Sequence, residues 1–112
     1  MRVTSDQTRA AVVYHVIGNL EHLTVGQFRE EVARIQDNSR VIFDLSAVPF
    51  VDSAGLGALI GAVRRIRERH GDAVVCSARP SVGRVLEVVG LPRVVVVARN
   101  LDEAKARLLP AA

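Results

Sequence analysis

The order of apolar and polar positions changes period several times along this chain. Alternation with a period of two marks a strand. It runs from Ala10 to Ile17, with Val13, His15 and Ile17 on one side and Val12, Tyr14 and Val16 on the other. A shorter extended segment, Arg2 to Ser5, comes before it, and Asp6-Gln7-Thr8 supplies turn-forming residues between them. Three apolar runs read as buried strands: Val41-Ile42-Phe43, Ala73 to Ser77, and Val94 to Ala98.

Helical spacing fills the intervals. Phe28, Val32 and Ile35 form one apolar face, while Arg29, Glu30, Glu31 and Arg34 face water. Thr24 stands before that helix, and Thr24-Val25-Gly26-Gln27 fits a capping box. Leu56, Leu59, Ile60, Val63 and Ile66 give a second face. Pro80 and Ser81 start a third helix through Val82, Val85, Leu86 and Val89, which Gly90 ends. Asp102 opens a fourth, Glu103 to Leu109, packing through Leu101, Ala104 and Leu108, and Pro110 stops it. The expected order is β-β-α-β-α-β-α-β-α. Alternation of strands with helices predicts an α/β fold: a parallel or mixed sheet of about five strands with about four helices against it. One domain over residues 1–112 accounts for the chain, with no repeat, linker or low-complexity segment.

Composition narrows the classes without choosing among them. A hydrophobic content of 49% in 112 residues suits one modest core and argues against disorder. The net charge of +3 comes from 15 basic and 12 acidic residues, not from a basic stripe of the kind a nucleic-acid binder shows. The densest cluster, Arg64, Arg65, Arg67 and Arg69, closes the second helix, where cations suit the helix dipole; contact with an acidic partner is the other reading. Cys76, the single cysteine, has no disulfide partner and reads as a buried, inert thiol. The amino terminus lacks a secretory pattern and no apolar run is long enough to span a membrane, so a soluble, cytoplasmic protein without membrane insertion is expected.

Candidate chemistry gathers between Arg40 and His70. A connection from Asp44 to Val51, containing Pro49, leads from the strand at Val41 to Asp52 and Ser53 at the start of the second helix. Both are good N-cap types, and a serine hydroxyl there is expected to be exposed. Gly57 and Gly61 lie inside that helix, where each glycine costs on the order of 1 kcal/mol against alanine. Close packing on the sheet is the plainer reason for them; a shallow surface for a partner is the other. Catalysis has little support. There is no G-x-S-x-G elbow and no phosphate-binding loop, and His15, His22 and His70 lie on separate segments with no triad context. His15, a lone histidine within a strand, gives no metal site, and neither metal nor cofactor is expected.

Asp44-Leu45 followed by Phe50-Val51-Asp52-Ser53-Ala54-Gly55-Leu56-Gly57 resembles the STAS domain family, and within it the bacterial anti-sigma factor antagonists. That family's pattern is a strand ending in D-L, a loop, and D-S-x-G-L opening a helix. Gly18-Asn19-Leu20-Glu21 is similar to its G-x-L-D segment, with Glu21 where aspartate is usual. The short helix leading into Gly90-Leu91 is similar too. The resemblance implies a non-enzymatic switch in transcription regulation. Ser53 would be phosphorylated by an anti-sigma factor that is itself a serine kinase, and a serine phosphatase would restore it. Unphosphorylated protein would bind the anti-sigma factor and release a sigma factor. Asp52, Ser53, Gly55 and Leu56 would frame the contact, with Glu21 and His22 beside them. The alternative within the family is an accessory subunit of a transporter or signalling assembly, with Ser53 a structural helix cap.

Overall fold

Strand β3 (Arg40–Ala47) runs through the middle of a five-stranded sheet and is buried from Val41 to Leu45. The computed structural model describes residues 1–108. Strands β1 (Arg2–Gln7), β2 (Val12–Ile17), β3, β4 (Asp72–Cys76) and β5 (Val97–Ala98) lie side by side in chain order. β1 pairs antiparallel with β2, and the remaining neighbours are parallel, so the sheet is mixed. Helices α1 (Val25–Ala33), α2 (Ser53–Glu68), α3 (Pro80–Val88) and α4 (Leu101–Arg107) complete the expected order.

Both faces of the sheet are covered, which explains why Val41 to Phe43 of β3 and Ala73 to Cys76 of β4 are apolar runs instead of alternating. Val41, Phe43 and Leu45 of β3 join Phe28 and Val32 of α1, Leu59 and Val63 of α2, and Leu86 of α3 in one core. Phe28 and Phe43 meet there with ring centroids 5.6 Å apart. Ile42, Val74, Cys76 and Ala98 face the other way, against Ala104 and Leu108. Truncating a side chain buried as Leu59 is, with no exposed surface, costs about 2–5 kcal/mol.

Several boundaries depart from the local pattern. Asp6 and Gln7 do not turn; they pair with Val13 and Val12, and the turn falls at Thr8 to Ala11, where the Thr8 Oγ1 donates to the Ala11 carbonyl at 2.8 Å. β3 continues through Asp44 and Leu45 to Ala47, so the connection to α2 is shorter than Asp44 to Val51. β5 keeps only Val97 and Ala98, because a 3-10 turn over Leu91–Arg93 draws in the N–H groups of Val94 and Val95 and turns Leu91 and Val95 inward. Thr24 makes no cap bond; its Oγ1 accepts from the Glu21 N–H at 3.0 Å and donates to the Asn19 carbonyl at 2.7 Å, closing the loop before α1. α4 is capped by Asn100, whose Oδ1 accepts from the Glu103 N–H at 2.9 Å, so Asp102 lies within its first turn. Leu109 and Pro110 lie outside the described residues.

Candidate functional site

Two loops at the carboxyl ends of β2 and β3 are joined through their backbones, and the start of α2 rests on the join. Leu20 bridges Val51 in parallel register. The Leu20 N–H donates to the Phe50 carbonyl at 2.9 Å, and the Asp52 N–H donates to the Leu20 carbonyl at 3.3 Å. The loop carrying Glu21 and His22 is thereby fixed against the segment carrying Asp52 and Ser53.

Asp52 is the N-cap of α2. Its Oδ1 accepts from the Gly55 N–H at 2.8 Å, satisfying one of the helix's free donors. Its Oδ2 accepts from the His22 N–H at 3.1 Å and faces His22 Nδ1 at 3.3 Å. The Gly55 N–H, and after it the His22 N–H, hold the Asp52 carboxyl below its ordinary value of 3.8 against a smaller opposing effect of desolvation. Ser53 is the first helical residue, not the cap. Its side chain is exposed, and no hydrogen bond among the described residues engages its hydroxyl. The alternative in which Ser53 is the structural cap is therefore corrected: Asp52 fills that role, and one cap position admits one residue.

The other expected site residues divide between rim and support. His22 is exposed and Glu21 partly so, both at the rim. Gly55 and Leu56 are buried beneath it. Gly55 packs so tightly that a Cβ would stand 1.9 Å from the Leu20 carbonyl oxygen, and Leu56 belongs to the core under α2. Two residues that the periodicity does not single out join the rim. Leu23 is 78% exposed and Phe50 50%, both on the two joined loops. Phe50 stands at the head of the segment that carries the resemblance, whereas Leu23, between His22 and Thr24, has no signal in the sequence beyond being a large apolar residue in a polar loop.

His15 proves to be paired, against the expectation of a lone histidine. Its Nδ1 lies 2.7 Å from Asp44 Oδ2 and its Nε2 2.8 Å from Asp6 Oδ2. The Asp44 bond, chiefly, raises the His15 pKa above 6.5. Asp44 is pushed up by burial, but the Ser46 N–H and His15 together outweigh this and leave its pKa below 3.8. Among the described residues no group of three His, Cys, Asp or Glu side chains could hold a metal ion, and no helix is long and apolar enough to cross a membrane. Cys76 is fully buried, and burial pushes its thiol pKa up.

A mixed sheet of this order, with a D-S-x-G-L segment opening the helix after its central strand, defines a STAS domain. The family model for the STAS domain matches residues 2–104, and the chain belongs to that family. It is 25% identical to an anti-sigma F factor antagonist of Paenibacillus polymyxa over 111 residues, covering 96% of this chain and 95% of the relative. The fold matches an anti-sigma factor antagonist from Mycobacterium paratuberculosis with a TM-score of 0.83, at 23% identity over 94% of this chain and 91% of that one. It also matches the Bacillus cell fate determinant SpoIIAA in its phosphorylated form, with a TM-score of 0.66 at 23% identity, over 95% of this chain and 98% of that one.

Proposed function

We propose that this chain is an anti-sigma factor antagonist, a non-enzymatic cytoplasmic regulator of transcription switched at Ser53. Unmodified, it binds an anti-sigma factor that is also a serine kinase and so frees a sigma factor; phosphorylated, it releases its partner until a serine phosphatase acts. The observation that carries this reading is the free, exposed Ser53 hydroxyl at the first position of α2, with capping left to Asp52. A hydroxyl not needed by the fold can be esterified without unfolding it. Relatives bearing the name anti-sigma factor antagonist supply the partner class.

The switch follows from charge. Phosphate on Ser53 adds about −1.5 to −2 charges, which the free N–H groups and dipole of α2 tolerate. The dianion would stand next to Asp52, a carboxylate that is ionised at neutral pH. Leu23 and Phe50 offer apolar contact on the same rim, and His22 and Glu21 its polar part. Gly55 and Leu56 contribute from below, by setting the height and angle of the helix start. Desolvating a dianion beside a second carboxylate opposes docking of an apolar or acidic surface.

Affinity capture from native lysate with wild type and Ser53→Asp, read by mass spectrometry, tests the proposal. The expected result is an ATP-binding anti-sigma factor retained by wild type and lost with folded Ser53→Asp. Transporter or other assembly subunits held equally by both proteins would overturn it.

A further inference from the structure

The two interior glycines of α2 have no internal reason to be glycine. A Cβ built on Gly57 or Gly61 meets nothing within 4 Å, and both positions are exposed. Gly55 and Gly71, by contrast, are pressed against backbone carbonyls that exclude a Cβ. Close packing, against the Leu20 loop, thus accounts for Gly55 and not for the other two. What Gly57 and Gly61 do is leave open a groove of about 330 Å³ between α1 and α2, floored by Val32, Ala58 and the glycine backbones.

The charge of the groove is one-sided. Among the described residues, the charged side chains lining it are Arg29 from α1 and Arg65 from α2. Arg65 is half-buried, and among the described residues its buried Nε has no hydrogen-bond partner. Its terminal Nη groups are the donors an incoming helix can reach, and a carboxylate is the best acceptor for a guanidinium. The groove also leads to the switch. Ser53, Gly57, Gly61 and Arg65 follow one ridge of four-residue spacing, and Ser53 precedes Gly57 by one turn, about 6 Å of axial rise.

We infer that the α1–α2 groove receives an α-helix of the protein that docks at Ser53, seating small or apolar residues over Gly57 and Gly61 and a carboxylate against Arg65. The inference rests on the switch reading for the identity of that protein. Glycine at the contact lets two helix backbones approach closely. The acidic residue fixes the register of the incoming helix. A second copy of this chain is a poorer occupant, since its net charge of +3 opposes its own basic groove.

The test is calorimetric titration of the purified chain with each purified anti-sigma factor of the source genome. Four proteins are compared: wild type, Gly57→Leu/Gly61→Leu, Arg65→Glu, and Arg84→Glu on α3 as an off-groove control, each checked for native circular dichroism. The groove predicts that the first two variants bind at least tenfold more weakly than wild type and that Arg84→Glu stays within twofold. If the filled and charge-reversed variants fold and bind within twofold of wild type, the groove assignment is wrong while the switch at Ser53 stands. If wild type binds none of these factors, the switch reading fails and the groove's occupant with it. Should Gly57→Leu/Gly61→Leu not fold, Gly57→Ala/Gly61→Ala replaces it, with a loss of at least threefold expected and unchanged affinity counting against the groove.

Discussion

The backbone of Gly55 lies against the Leu20 carbonyl so closely that a Cβ would stand 1.9 Å from the oxygen and 2.7 Å from the carbon. Leu20 cannot give way, because its N–H and carbonyl are bonded to Phe50 and Asp52. Gly55→Ala must therefore push the start of α2 off the loop that carries His22. A loss of about 1–3 kcal/mol, the usual range for overpacking, is expected in urea denaturation, together with weaker partner binding.

Asp52 and Ser53 exchange the roles that residue type alone would allow either of them. Ser53→Ala removes no hydrogen bond and should leave stability within about 0.5 kcal/mol of wild type. Asp52→Ala removes the acceptor of the Gly55 and His22 N–H groups together. Thermal unfolding should show a lower midpoint for Asp52→Ala only; equal losses in both variants would return the cap to Ser53.

Gly57→Ala and Gly61→Ala should each stabilise the free chain, by up to about 1 kcal/mol. Both sites are open, so helix propensity acts without steric opposition. A stabilised fold with weakened partner binding would be the mark of residues kept for an interface.

The Asp44–His15–Asp6 line ties edge strand β1 to β2 and β3. His15 has a raised pKa, so its contribution is complete below 6.5 and is lost as pH rises through the higher folded-state value. Asp44 has a lowered pKa, so its contribution is complete above 3.8 and is lost as pH falls through the lower folded-state value. The stability gap between wild type and His15→Gln should then be widest between these limits and shrink on the alkaline side. Urea denaturation from pH 4 to pH 9 checks this; a gap that widens above pH 7 would contradict the pairing.

Periodicity alone was enough to place the elements whose burial repeats along the chain. Leu59, Val63 and Ile66 recur at helical spacing, and Val41 to Phe43 form an apolar run that suits a strand covered on both sides. The D-S-x-G-L segment was equally legible, since it lies where strand gives way to helix. Strand ends were not, because a strand ends where its partner stops pairing. Asp6 and Gln7 look like turn residues until Val13 and Val12 offer them a ladder. Val94 and Val95 look like strand until the turn from Gly90 takes their N–H groups.

Sequence by itself thus determined the order of elements, the family, and the position of Ser53 at a helix start, all of which follow from local spacing and residue type. Tertiary structure decided the rest through contacts between residues far apart in the chain. It set the second carboxylate oxygen of Asp52 on His22 across 30 positions, and paired His15 with Asp44 across 29. It also separated Gly55, which the fold requires, from Gly57 and Gly61, which it leaves open. A glycine looks the same in any sequence; only its surroundings in space show whether a Cβ would have met anything.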